Sequence, residues 1–185
     1  MRASKRDELV RQALEIFYRE GFRATGMDLL AAETGISKTT MFKHFRTKEE
    51  LILAVLRLQD QEYRNWLFRR MERAGPPRAQ LLALFDALAE LFAEPEFRSC
   101  MFIKAASEYP DSNHPIHAQA AEHRRLLLLQ LQEIASAAGA QDPAALARAL
   151  LLLKAGAMVS AHLHEVDPAG NAKAAAATLL STALP

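Results

Sequence analysis

Between Ser37 and Lys48 the chain reads SKTTMFKHFRTK. These twelve residues supply hydroxyls from Ser37, Thr39 and Thr40, ammonium groups from Lys38, Lys43 and Lys48, and the imidazole of His44. Such groups donate hydrogen bonds and offset negative charge, which is the chemistry of holding phosphates and base edges. On one short helix over residues 38–45, Ile36, Met41 and Phe45 fall on the inner side. Lys38, Thr39, Thr40, Phe42, Lys43 and His44 face outward. A two-turn helix of this kind, held rigidly by the helix before it, fits the major groove of B-DNA.

The elements that must position this helix are written in the same stretch. Thr25, with Asp28 three residues on, has the spacing of a capping box and predicts a helix start. That helix carries Met27, Leu30 and Ala31 on one side and should stop at Gly35, which can take the left-handed conformation. Ser37 then caps the second helix, and Thr47 with Glu50 opens a third. Helix, glycine turn, helix is the helix-turn-helix pattern. Ahead of it, Ser4 with Asp7 predicts a helix over residues 6–20, with Leu9, Ala13, Ile16 and Phe17 on its buried side and Gly21 at its end. Arg2, Lys5 and Arg6 form either a basic arm that touches DNA or a solvated tip.

These residues resemble the DNA-binding segment of the TetR family of one-component transcriptional regulators. Gly21, Phe22, Thr25, Met27, Leu30, Ala31, Thr34, Gly35, Ile36, Ser37, Met41, His44, Phe45, Lys48 and Leu51 fall in register with that family's pattern. Gly26 and Phe42 depart from it, standing where the family usually has a small hydroxyl residue and a tyrosine. In relatives that tyrosine commonly gives its hydroxyl to a phosphate, so the resemblance implies one phosphate hydrogen bond fewer here. It also implies a double-stranded DNA operator, a homodimer, and a small-molecule effector bound in the second domain. The DNA-binding residues expected are Thr25, Ser37, Lys38, Thr39, Thr40, Phe42, Lys43, His44 and, as a phosphate contact, Lys48.

Charge agrees with this placement. Residues 1–48 hold ten Lys and Arg against six Asp and Glu, a net of +4, while the remainder nets −3. The positive pole thus coincides with the helix-turn-helix, as phosphate binding requires. A single cysteine, Cys100, excludes an internal disulfide and reads as a packing residue in a reducing compartment. The N-terminus lacks an apolar core of signal-peptide length, and Arg148, Lys154 and His162 interrupt the longest apolar region. The expectation is a cytoplasmic protein with no membrane partner.

The fold expected is all-α with about nine helices. An N-terminal domain over residues 1–47 is joined by a long helix, 48–73, to an effector-binding and dimerisation domain over 48–185. Further helices are expected over 76–93, 97–109, from Pro115 to near Gly139, over 142–165 and over 171–184. Candidate pocket residues are Trp66, Phe85, Phe102, Glu108, His123 and His162, suited to an apolar or weakly polar effector. The last two helices, apolar on more than one side, suggest a four-helix dimer interface built on Leu150, Leu153, Ala157, Met158, Ala161, Leu179 and Leu180. No metal or cofactor is expected. His162, His164 and Glu165 have a suggestive spacing, but i and i+2 positions point apart on a helix. No phosphate-cradling glycine loop, nucleophile elbow or paired-carboxylate arrangement supports an enzyme. A second class remains open: an α-helical adaptor that keeps the helix-turn-helix shape without specific DNA readout.

Overall fold

The computed structural model describes residues 4–185; Arg2, part of the expected basic arm, lies outside them. The described residues form nine helices: α1 (Lys5–Glu20), α2 (Met27–Thr34), α3 (Lys38–His44), α4 (Lys48–Glu72), α5 (Pro77–Phe92), α6 (Met101–Glu108), α7 (Pro115–Ala137), α8 (Pro143–His162) and α9 (Pro168–Ala183). Most boundaries follow the caps read from sequence. Ser4 accepts from the Asp7 amide, Ser37 from Thr40 and Asp142 from Ala145. Gly35 ends α2 at φ 65°, a left-handed value that favours glycine.

Three boundaries differ from expectation. The helix expected over 97–109 begins only at Met101, because Ser99 sits at φ 78° and cannot continue a right-handed helix. The preceding turn is closed instead by the Phe92 and Phe97 rings, 5.0 Å apart. α8 stops at His162 rather than residue 165, with His164 at φ 59°. α9 starts at Pro168, three residues early, because Asp167 caps it by accepting from the Gly170 amide.

The chain divides into two compact units, residues 1–62 with 100–123, and 63–99 with 124–185. The expected boundary at residue 47 is therefore not where packing divides the chain. Leu51, Ile52, Val55 and Leu56 of α4, and Met101, Phe102 and Ala105 of α6, are buried in one core with Leu9, Phe17, Phe22, Leu30 and Met41. Without those two later segments the three N-terminal helices would expose their apolar faces.

The second unit has its own core. α9 packs on α8 and α5, and its buried Ala169, Ala172 and Ala176 allow close helix approach. Lys173 of α9 is paired with Asp86 of α5 at 2.6 Å. By length and composition α8 is the one helix among the described residues that could cross a membrane, so the interrupting charges do not exclude it on composition. Seven of its residues are nevertheless buried inside the unit, as in a core helix. They include Lys154, whose ammonium lies 5.1 Å from the Tyr63 ring centre.

Candidate nucleic-acid interface

Met41 is fully buried, and Ile36 and Phe45 nearly so, which fixes α3 by its inner side. Thr34 secures the turn before it: its hydroxyl donates to the Leu30 carbonyl at 2.7 Å and accepts from the Ile36 amide at 3.2 Å. The outer side of α3 then presents Lys38, Thr39, Phe42, Lys43 and His44 to solvent. Phe42 is 48 % exposed, a large apolar ring with no core to fill. Lys43 and His44 occupy the last turn, where positive charge complements the helix dipole.

Not every outward residue is equally available. The Ser37 and Thr40 hydroxyls lie 3.0 Å apart and serve the cap. Lys38 reaches back 2.7 Å to Asp28 of α2, which offsets its charge and ties the two helices together. Thr39, Phe42, Lys43 and His44 are left as the crest a groove would meet.

Two expected DNA contacts are placed otherwise. Thr25 is fully buried, and its hydroxyl donates to the Gly21 carbonyl at 2.6 Å. It neither caps α2, whose N-cap is Gly26 without a side-chain bond, nor can it touch DNA. Thr25→Val should keep the volume but orphan a buried carbonyl, at a cost of about 1–3 kcal/mol. Urea unfolding would check this, and an unchanged midpoint would show that the hydroxyl is dispensable. Lys48 is only partly exposed, and its ammonium donates to the carbonyls of Phe22 at 3.0 Å and Thr25 at 3.2 Å. It serves the corner between α1 and α2 rather than standing ready for a phosphate.

The basic arm is also largely engaged. Lys5 and Arg6 lie within α1, Lys5 3.3 Å from Glu8 and Arg6 stacked 5.0 Å from the centre of the Phe45 ring. Elsewhere in the unit, hydrogen bonds to Glu20 and then Glu33 hold the Arg19 guanidinium further above its ordinary pKa. Burial, with Glu49 and Glu108 adding repulsion, raises the Tyr109 phenol, and Arg23 works against it.

The candidate effector residues divide between the two units. Phe102 and His123 meet in the first unit, their rings stacked 3.6 Å apart, and His123 Nδ1 lies 2.7 Å from buried Asp60. Asp60 escaped the sequence reading. Its signal was spacing, since it continues the buried row of Ile52 and Leu56 at i+4. Glu108 is committed to the backbone amides of Phe22 and Arg23 and so is not a pocket wall. In the second unit Phe85 is core, Trp66 packs beside Tyr63 and under Arg70, and His162 is exposed at the end of α8.

The expected dimer residues are mostly spent inside their own unit as well. Leu150, Ala157, Met158 and Leu180 are buried there, while Leu153, Ala161 and Leu179 are partly so. The apolar stripe shown to solvent is a different one, Leu152 and Val159 of α8 with Leu163 just beyond its end.

Comparison with known proteins matches this geometry. The family model described as bacterial regulatory proteins, tetR family, matches residues 9–55, the segment that builds α1 to α3 and the start of α4. The chain is similar to SCO4454, a TetR-family transcriptional regulator from Streptomyces coelicolor. That crystal structure is 30 % identical with a TM-score of 0.89, over 96 % of this chain and 95 % of that one. It is 24 % identical over 155 residues to the HTH-type transcriptional regulator YjdC of Escherichia coli, 83 % of this chain and 81 % of that one. A shorter match, 35 % identical over 92 residues, joins 48 % of this chain to 43 % of the HTH-type transcriptional repressor KstR2 of Mycolicibacterium smegmatis. With a braced, basic recognition helix at one end and this likeness along its length, the chain belongs to the TetR family of DNA-binding transcriptional regulators.

Proposed function

We propose that this regulator acts in the cytoplasm as a homodimeric repressor, holds a palindromic operator through two copies of α3, and is released by a small, largely apolar effector. The observation that carries the reading is the crest of Thr39, Phe42, Lys43 and His44, presented by a helix whose other side is buried. A single seven-residue helix reads few base pairs, so useful specificity calls for two half-sites, about 34–36 Å apart for one turn of DNA. The exposed stripe of Leu152, Val159 and Leu163 supports pairing through α8, with α9 beside it. Repression follows the name of the KstR2 relative. Release by an effector requires only that it bind the DNA-incompetent state more tightly. Phe102 and His123 in one unit and Trp66 in the other are the side chains offered for it, with no single cavity implied.

The test is binding to the DNA upstream of the protein's own gene across a salt series. A repressor should protect a palindrome, with affinity falling steeply as salt rises. Weak, sequence-indifferent binding would favour the adaptor reading instead. Lys43→Ala should weaken binding by about 1–3 kcal/mol and relax the preference at one position of each half-site. Selection from random duplexes would show this; an unchanged preference would move the reading surface off α3's crest.

A further inference from the structure

The corner between α1 and α2, residues 18–25, is held by ionic side chains that bond its backbone. From α6, Lys104 donates to the Tyr18 carbonyl at 3.0 Å, at the C-terminal end of α1 where carbonyls lack helical partners. One turn further along α6, Glu108 accepts from both the Phe22 amide at 3.1 Å and the Arg23 amide at 2.6 Å. From α4, Lys48 binds the carbonyls of the same corner. Gly21 leaves room for this arrangement: a Cβ there would lie 3.0 Å from Glu108 Oε1. The Arg23 guanidinium stacks on the Tyr109 ring, 5.3 Å from its centre, just beyond the end of α6.

α6 is itself anchored, with Met101, Phe102 and Ala105 buried in the core of the first unit. Its Lys104 and Glu108, four residues apart, share one face. The corner they grip passes through Gly26 straight into α2, and α2 is tied to α3 by the short turn and by the Lys38–Asp28 pair. The direction in which α3 points therefore depends on backbone atoms that a carboxylate 85 residues later holds.

We infer that Glu108, assisted by Lys104, is a positioning residue for DNA binding: through two backbone amides it sets the orientation of the recognition helix. The inference rests on the family's DNA-binding activity and on neither the repressor reading nor the effector. Sign distinguishes it from simple electrostatics. Glu108 is an acid in the basic unit, so on charge alone its removal should leave DNA binding equal or tighter. Positioning demands the opposite, because a neutral amide would present an N–H to one of two N–H donors.

The experiment uses the full chain and a duplex selected from random sequence by the unaltered protein. Failure of that selection would count against specific DNA readout, not against Glu108. With a duplex in hand, Glu108→Gln should bind it about tenfold or more weakly, as expected for a charge-assisted hydrogen bond. The dependence on salt should not change, because no phosphate contact is lost. Glu108→Asp, which keeps the charge but shortens the reach, should also weaken binding. Equal or tighter binding by a folded Glu108→Gln would overturn the inference. Should the Glu108 variants not fold, Lys104→Gln takes their place: it releases the Tyr18 carbonyl and should weaken binding to the same duplex with the salt dependence unchanged. Unchanged binding by a folded Lys104→Gln would then overturn it equally.

Discussion

A chain carrying Leu152→Arg together with Val159→Arg is expected to sediment as a monomer and to bind its operator at least about a hundredfold more weakly. Linking two binding modules typically multiplies affinity by about 10²–10⁴ without any new contact, and separating them forfeits that gain. The two side chains are 65 % and 49 % exposed, seven residues apart on α8, so charge can be placed on both without disturbing the unit's own core. In a symmetric pair each substitution is met twice, and like charges would face each other in an apolar contact. Sedimentation velocity reads the assembly state and fluorescence anisotropy the affinity; a thermal melt confirms that the monomer is folded. A double variant that remained dimeric would place the pairing surface elsewhere.

Phe22→Ala should lower stability by about 3–5 kcal/mol, the usual cost of emptying a fully buried phenylalanine site. Phe22 has no exposed surface, and its ring centre lies 5.4 Å from that of Phe17, itself fully buried. Its backbone amide and carbonyl are the atoms that Glu108 and Lys48 hold, so the site has little freedom to collapse around a cavity. Equilibrium denaturation would give the loss. A change below about 1 kcal/mol would mean that the corner can repack, against the close packing usual in protein interiors. DNA binding should fall in parallel even though no crest residue is altered.

Local chemistry was legible in the sequence, and distant partnership was not. Ser4, Ser37, Gly35 and Asp142 mark helix ends through hydrogen bonds that span three or four residues, and each acts where its spacing says. Met41 and Phe45 were fixed as inward by period alone. Thr25 had the same local signature as a cap, yet its hydroxyl turns inward to Gly21, and only the packing of the corner decides between the two. Glu108 could be seen as a carboxylate in an apolar helix, but not as the acceptor for amides 85 and 86 residues earlier. For α8 and α9, apolar nearly all round, periodicity could not say which stripe the chain uses itself. Of the leucines expected at a partner's contact, Leu150 and Leu180 belong to the unit's own core, while Leu153 and Leu179 are only partly buried.

Because Met101, Phe102, Ala105 and Ile116 complete the core beneath α1 to α3, the DNA-reading portion of this regulator is not a module that can be cut out and transplanted. A hybrid taking residues 1–62 from this protein and the rest from a relative would rest its reader on foreign α6 and α7 side chains. Changing operator choice while keeping the rest of the chain calls for rewriting a few solvent-facing positions on α3, not for exchanging the first third of the gene.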